Sequence, residues 1–215
     1  MELIIHRQNS IVELNSIEQQ YGVEVDVRSN GKALIVSHEP FINGELFEQW
    51  LGAFRHRILI VNVKEEGLEE KILPTLETFG IENYFILDES FPYIVKWSRK
   101  GLRKFALRVS DIESVMTAHS LSARNLAVDW VWVDCFDQKC PNIKLIEDLR
   151  ALGHKICLVS PELHVLDDPL QWNALVEEFL SALYLVDPLP DAVCTKLPEI
   201  WSSFLESYSG RKGLD

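Results

Sequence analysis

The segment that decides the fold is Val23-Glu24-Val25-Asp26-Val27, which alternates apolar and acidic residues. Strict alternation of this kind is typical of a β-strand with one buried face. Successive strand side chains point to opposite faces, so the three valines share one face and the two carboxylates share the other. The valine face predicts packing beneath a layer of helices, and the opposite face carries the candidate chemistry.

Glu24 and Asp26 are two residues apart on one strand face, which separates them by about 6.5–7 Å along the strand. Two like charges this close repel each other inside a protein unless a cation lies between them. Mg²⁺ or Ca²⁺ is the natural choice, because both take oxygen ligands. The alternative is that both acids are solvated at the strand end or paired with Arg28 or Lys32.

Short apolar runs alternate with amphipathic segments along the whole chain. Eight runs are strand-like: residues 3–6, 23–27, 58–63, 84–87, 105–109, 128–133, 155–159 and 192–195. Five segments between them have helical patterns: residues 44–54, 68–79, 111–119, 143–152 and 171–183. This alternation predicts an α/β fold with a parallel sheet and right-handed crossovers.

Eight strands in a chain of this length predict a single, compact (β/α)8 TIM barrel over residues 1–208. Residues 209–215 are expected to form a frayed tail. The alternative is an open doubly wound sheet, but no glycine-rich phosphate-binding motif follows any of the strand-like runs. The barrel is therefore the preferred prediction.

The alternation rule places further polar residues on the inner face, late in their strands. It selects His6, Asn62, Lys64, Arg108, Ser110 and Asp134. Barrel enzymes carry their chemistry at the carboxyl ends of the strands. The sequence therefore predicts a site at this end of the barrel.

Composition and charge exclude several classes of protein. The chain has 215 residues, of which 47% are hydrophobic and 25% are charged, which is typical of a folded protein. A formal charge of −12 provides no basic field for a nucleic acid. The chain has no apolar run long enough for a membrane span and no N-terminal signal pattern, which predicts a protein without membrane insertion. The four cysteines form no C-x-x-C pair, so we expect reduced thiols and a cytoplasmic location.

Short motifs occur in a fixed order. His6-Arg7 is followed 18 residues later by Glu24-Val25-Asp26, and an Asn-Gly turn and an apolar run then lead to His38-Glu39. This order and spacing resemble the glycerophosphodiester phosphodiesterase family, which are barrel enzymes of the phospholipase-C-like phosphodiesterase superfamily. The family's Glu-x-Lys on the third strand is similar to Asn62-Val63-Lys64, and its last strand is similar to residues 191–198.

The resemblance implies a divalent cation, Mg²⁺ or Ca²⁺, held by Glu24, Asp26 and Asn62. The family has a glutamate where this chain has Asn62, and an amide oxygen holds a cation more weakly than a carboxylate does. Asp88 or Asp134, at the ends of later strands, could supply the missing carboxylate.

The resemblance also implies the reaction, which is cleavage of a small-molecule phosphodiester. His6 and His38 would transfer protons as a base and an acid, in either order. Arg7, Lys64 and Arg108 would bind the phosphate oxygens. The nucleophile would be water or a neighbouring hydroxyl of the substrate, which gives a cyclic phosphate.

Two other functions fit parts of the sequence. Asn62 and the short connection after His38, which leaves room for only a small cap, also fit a non-catalytic binder of a phosphorylated sugar or a lipid headgroup. A Schiff-base lyase would use Lys64 as its nucleophile. That function leaves Glu24, Asp26 and the two histidines without a role.

Overall fold

A computed structural model describes residues 1–165 and 169–212, and its contacts group them into two compact units. The N-terminal unit contains Ile5–Leu107 and Asn125–Trp130. The C-terminal unit contains Met1–Ile4, Arg108–Arg124 and the described residues from Val131 onward. One barrel domain over residues 1–208 remains a prediction.

The N-terminal unit is built on a five-stranded sheet with the order β4-β3-β2-β5-β6. Its strands are β2 (Gly22–Ser29), β3 (Leu34–Val36), β4 (Glu45–Leu46), β5 (Leu59–Val63) and β6 (Tyr84–Leu87). β2, β5 and β6 are parallel, whereas β3 and β4 form an antiparallel extension of the sheet. The register aligns Asp26 with Asn62, so the candidate residues of two neighbouring strands lie side by side.

The helices of the N-terminal unit follow its strands. They are α1 (Ile11–Ser16), α2 (Phe47–Ala53), α3 (Glu69–Thr78) and α4 (Phe91–Ser98). α1 begins at an N-cap: the Ser10 hydroxyl accepts from the backbone N–H of Glu13 and donates to its carboxylate. This cap ends the connection from the first strand after only four residues, which holds residues 6–9 close to the sheet.

The C-terminal unit has the strand order β1-β10-β9-β8-β7. Its strands are β1 (Glu2–Ile5), β7 (Ala106–Val109), β8 (Trp130–Val133), β9 (Lys155–Val159) and β10 (Ala192–Thr195), of which β1, β7 and β8 also carry residues of the N-terminal unit. Its helices are α5 (Met116–Ser122), α6 (Ile143–Ala151), α7 (Pro169–Leu183) and α8 (Pro198–Lys212), with one 3₁₀ turn at Pro161–His164. β9 and β10 are parallel.

All eight strand-like runs of the sequence form strands, and the predicted alternation of faces is observed. Val23, Val25 and Val27 are fully buried, and the side chains of Asp26 and Lys64 meet on the other face. None of the helices in the described part of the chain is both long and apolar enough to cross a membrane.

Residues 209–212 lie in α8 and residues 213–215 lie outside the described part of the chain, so the frayed tail stays a prediction. One prediction about a helix was wrong. The helix predicted from residue 111 begins only at Met116. The reason is a local turn, in which the Ser110 hydroxyl accepts from the backbone N–H groups of Ile112 and Glu113.

Candidate functional site

The candidate site is a group of three oxygen-bearing side chains, Glu24, Asp26 and Asn62, which we call the carboxylate cluster. Glu24 and Asp26 come from β2 and Asn62 from the neighbouring β5. Glu24 and Asp26 are each only 1% exposed, so their charges need partners inside the protein. The contacts of the two carboxyl groups differ.

Asp26 is held from several sides. Its Oδ1 atom lies 3.2 Å from Lys64 Nζ, and its Oδ2 atom accepts from Asn9 Nδ2 at 2.7 Å and lies 3.5 Å from Arg7 Nε. The Asn9 side-chain oxygen in turn accepts the backbone N–H of Asp26 at 2.9 Å. Asn9 therefore binds both the backbone and the side chain of Asp26, which fixes the direction of this carboxylate.

Glu24 has fewer partners. Its Oε2 atom accepts the backbone N–H of Arg7 at 2.7 Å and lies 3.9 Å from His6 Nε2. Arg7 has φ +54°, a left-handed conformation uncommon for a residue with a side chain, and this geometry accompanies the contact of its N–H with the carboxylate. The Oε1 atom of Glu24 is buried, and no hydrogen-bond donor among the described residues reaches it.

The surroundings of Glu24 disfavour its charged form. Burial, followed by the negative charge of Asp26, raises the pKa of Glu24 to about 8. The Asn62 amide, the Lys64 ammonium and the backbone N–H of Arg7 oppose this rise. A further positive charge beside the cluster would therefore favour the ionised carboxylate of Glu24.

Two buried oxygen atoms of the cluster fit a hard divalent cation. Glu24 Oε1 and Asn62 Oδ1 are both buried acceptors to which no donor in the described residues is bonded. Buried acceptors normally have partners, and oxygen atoms of this kind are the ligands that Mg²⁺ and Ca²⁺ take. Within residues 1–165 and 169–212 no group of three or more His, Cys, Asp or Glu side chains has a metal-binding arrangement. The third member of this cluster is an amide.

Lys64 is shared between two carboxylates. Its Nζ atom lies 3.2 Å from Asp26 Oδ1 and 3.2 Å from Asp88 Oδ2. Asp88 directly follows β6 and has φ +64°, so it also adopts the left-handed conformation. Asp88 thus contacts Lys64, and its predicted role as a substitute ligand stays a prediction.

The two predicted catalytic histidines have different environments. His6 follows β1, and its side chain is mostly buried beside Glu24. His38 lies in the loop after β3, is 36% exposed, and its Nδ1 atom is 2.6 Å from Glu39 Oε1. The hydrogen bond and charge of His38 lower the pKa of Glu39. The backbone carbonyl of His38 accepts from Arg28 Nε at 3.0 Å, which ties the loop to β2.

Arg108 and Asp134 belong to the C-terminal unit, where they pair with each other. Arg108 Nη1 lies 3.3 Å from Asp134 Oδ2, and the same oxygen accepts from Trp132 Nε1 at 3.4 Å. Asp134 Oδ1 accepts from the backbone N–H of Cys135 and lies 2.5 Å from His164 Nε2. This carboxylate is surrounded by four donors, so the geometry gives it an orienting role.

Sequence reasoning missed three residues of these networks: Asn9, Arg28 as a partner of His38, and His164. Asn9 had a usable signal, because the Ser10 N-cap forces the chain to turn just after it. His164 had none, since it contacts Asp134 across 30 residues of sequence.

Comparisons with known proteins identify the fold. No protein-family model and no curated protein matches the chain. The chain is similar to a glycerophosphoryl diester phosphodiesterase from Parabacteroides distasonis, with a TM-score of 0.65, 14% identity, and coverage of 96% of this chain and 86% of that one. It is also similar to the glycerophosphodiester phosphodiesterases from Agrobacterium tumefaciens (TM-score 0.63, 14% identity, coverage 94% and 99%) and Thermotoga maritima (TM-score 0.60, 15% identity, coverage 94% and 96%).

These likenesses extend over nearly the whole length of each chain, so they show that this protein has the fold of those structures. The predicted fold class, an α/β (β/α)8 barrel, is confirmed. At 14–15% identity the likeness establishes the fold alone. The function has to be argued from the site.

Proposed function

We propose that the protein is a metal-assisted phosphodiesterase that cleaves a small-molecule phosphodiester at the carboxylate cluster. The observation that carries the proposal is a pair of buried acceptors, Glu24 Oε1 and Asn62 Oδ1, to which the described residues bring no donor. They lie beside the cationic side chains of Arg7 and Lys64. Solved structures of the same fold that are named as glycerophosphodiester phosphodiesterases support the reaction class.

A divalent cation, Mg²⁺ or Ca²⁺, would be held by Glu24, Asn62 and Asp26. When bound, it would supply a Lewis acid that draws charge from a non-bridging phosphate oxygen. Its charge would also favour ionisation of Glu24, which burial and the charge of Asp26 disfavour. The neutral amide of Asn62 gives one charge fewer than a third carboxylate, so we expect weak binding.

The side chains around the cluster would perform the remaining chemistry. Arg7 and Lys64, each beside Asp26, would neutralise the phosphate oxygens as charge develops. His6 and His38 would act as acid and base, one activating the nucleophile and the other protonating the leaving oxygen. A neighbouring hydroxyl of the substrate could be the nucleophile, which would make a cyclic phosphate without any protein nucleophile.

The second candidate is a phosphate-ester binder without turnover, in the same cytoplasmic setting. One observation favours it: Asp26, a proposed ligand, is already engaged by Lys64 and Asn9. The lyase alternative has less support, because Lys64 Nζ contacts two carboxylates and is not presented as an attacking amine.

The test is a screen of phosphodiesters with Mg²⁺, Mn²⁺ or Ca²⁺, with His6→Ala and His38→Ala as variants. Each variant should lower the turnover rate about 10²–10⁴-fold, the usual contribution of a general acid or base. Substrate affinity should change little. A nitrophenyl leaving group needs no proton, so it should restore the rate of whichever variant lacks the acid.

His119→Ala is the matched control, because His119 lies in α5, outside the proposed machinery. It should leave the rate unchanged. Binding of phosphodiesters without turnover under all three cations would establish the binder instead.

A further inference from the structure

Arg28 connects three parts of the N-terminal unit. It lies on β2 two residues after Asp26, so it projects from the same face, and its side chain is only 16% exposed. Its Nε donates to the backbone carbonyl of His38 at 3.0 Å, and its Nη1 donates to that of Lys64 at 3.4 Å. The same Nη1 lies 3.5 Å from Glu65 Oε1, which balances the charge.

We propose that Arg28 is the positioning residue that fixes His38 relative to Lys64. The inference rests on the proposed function, in which His38 transfers a proton and Lys64 neutralises the phosphate. It adds a residue that touches neither the substrate nor the cation. Its role is to connect the loop that carries the proton-transfer group to the strand that carries the phosphate-binding cation.

The loop between Val36 and Glu45 needs an external anchor. It has no helix or strand of its own, and it exposes Glu39, Phe41 and Ile42, with Phe41 at φ +65°. The His38 side chain is bonded to Glu39, which is itself exposed and so cannot hold the ring in place.

Two contacts anchor the loop near His38. The backbone N–H of Ser37 donates to the Asp26 carbonyl at 3.0 Å. The Nε atom of Arg28 donates to the backbone carbonyl of His38, one residue further on. A proton donor or acceptor must lie within hydrogen-bond reach of its target. Loss of the Arg28 contact would therefore leave the hydrogen bond of Ser37, the residue just before His38, as the remaining anchor.

Only arginine can make this connection. Its planar guanidinium carries five N–H donors in a fixed arrangement, so one side chain can reach two separate carbonyl groups. The single ammonium of a lysine cannot reach both carbonyl groups at once. Arg28→Lys is therefore not a conservative change at this position.

The test compares Arg28→Gln and Arg28→Lys with a matched control, Arg103→Gln. Arg103 is an exposed arginine of the N-terminal unit that pairs with Asp129. For both Arg28 variants we expect kcat for a phosphodiester to fall about 10–100-fold, the cost of a misplacement of about 1 Å. KM and divalent-cation affinity should stay within about twofold, and the control should change nothing.

Amide hydrogen exchange provides a measurement that does not depend on turnover. Exchange at residues 37–43 should speed up in the Arg28 variants and remain unchanged in Arg103→Gln. Unchanged exchange in this loop would overturn the proposal. A wild-type protein without turnover would refute the proposed function, and the exchange data would still decide whether Arg28 positions the loop.

A double-mutant cycle with His38→Ala separates positioning from general destabilisation. If Arg28 acts through His38, adding Arg28→Gln to His38→Ala should lower kcat by less than about twofold. Losses that multiply would show that Arg28 acts elsewhere, and the proposal would fail. If Arg28→Gln does not fold, Arg28→Lys carries the same expectations in the cycle.

Discussion

The two units each bury an aspartate, Asp26 within β2 and Asp134 directly after β8, but the buried oxygen atoms around them differ in their hydrogen-bond partners. In the C-terminal unit, Asp134 is 4% exposed and receives four donors, from Arg108, Trp132, Cys135 and His164. In the N-terminal unit, the carboxylate cluster leaves Glu24 Oε1 and Asn62 Oδ1 without donors from the described residues. Buried carboxyl groups in the two units therefore belong to two different kinds of site.

This difference gives a way to distinguish a ligand site from a hydrogen-bond network that only stabilises the fold. A buried acceptor without a donor costs about 1–3 kcal/mol, and such groups are rare unless a ligand or water satisfies them. A carboxylate with every acceptor position used stabilises its neighbours and has little capacity for a further ligand. On this basis the carboxylate cluster is the candidate cation site, and Asp134 orients Arg108 and His164.

The strongest test of the comparison is Glu24→Gln. Glutamine has the shape of a carboxyl group without its charge, and burial and Asp26 already disfavour that charge, so the free energy of unfolding should change by less than about 0.5 kcal/mol. Divalent-cation affinity and phosphodiester cleavage should both fall about 10²–10³-fold. Calorimetry with Mg²⁺ or Mn²⁺ and steady-state kinetics measure the two effects.

Glu48→Gln, at an exposed position of α2, is the control for Glu24→Gln and should bind cations like the wild type. Equal cation affinity in wild type and Glu24→Gln would remove the cation from the carboxylate cluster.

Asp134→Asn should lower stability without changing cation binding, which is the reverse of the result expected for Glu24→Gln. Loss of the charge shared by Arg108 and His164 should lower the free energy of unfolding by about 2–3 kcal/mol, measured by urea denaturation. Cation affinity should not change. Asp129→Asn is the matched control, because Asp129 makes a 2.7 Å ion pair with Arg103 at the surface, where about 0–1 kcal/mol is expected. Similar losses in the two variants would mean that Asp134 is no more than a surface partner.

Asn9→Ala examines how the cluster is held in place. Asn9 binds both the backbone and the carboxylate of Asp26, so its removal should weaken divalent-cation binding about 10–100-fold. Asn83→Ala, which removes a side-chain bond to the Arg57 carbonyl outside the site, should have no effect on affinity. An unchanged affinity in Asn9→Ala would show that Lys64 and Arg7 orient Asp26 without Asn9.

Glu89→Gln should have the smallest effect, and it depends on pH. Burial, followed by the carboxyl of Glu69, raises the pKa of Glu89 to about 9 from an ordinary 4.5. Between these values the folded protein holds a proton that the unfolded chain has lost, so stability falls as pH rises through this window. Because the side chain is partly exposed, we expect a loss of only about 1 kcal/mol, or about 2–4 °C in Tm.

The Glu89→Gln variant should match the wild type near pH 5 and melt at a higher temperature near pH 9, as measured by thermal scans across that range. Glu77→Gln, at an exposed position of α3, is the control and should follow the wild-type curve. Parallel curves for Glu89→Gln and wild type would contradict the raised pKa.

The strands could be predicted because each contains a dense apolar run, and the fold class followed from their number and spacing. Three helices could not. α1 has only six residues and α4 (Phe91–Ser98) only eight, so neither contains a long repeating pattern. α8 lacks a clear apolar face.

The residues of the carboxylate cluster could be predicted because alternation along β2 and β5 places them on one face. The hydrogen-bond partners of these residues could not be predicted, because they depend on distances between separate segments. Asn9 reaches Asp26 across 17 residues and Arg28 reaches Lys64 across 36, and neither contact leaves a local pattern in the sequence. Which carboxylate keeps an unpaired oxygen becomes visible only in three dimensions.

The buried indole of Trp50 gives the N-terminal unit a built-in spectroscopic reporter. Its Nε1–H donates to the Gln8 carbonyl at 2.9 Å, and Gln8 follows Arg7, whose N–H binds Glu24. Any change in the charge of Glu24 therefore alters the peptide segment that sets the chemical shift of one indole proton. The chain has six tryptophans, and Trp50→Phe identifies this signal in an NMR spectrum. Arrival of a cation at the cluster could then be followed without substrate, label or turnover.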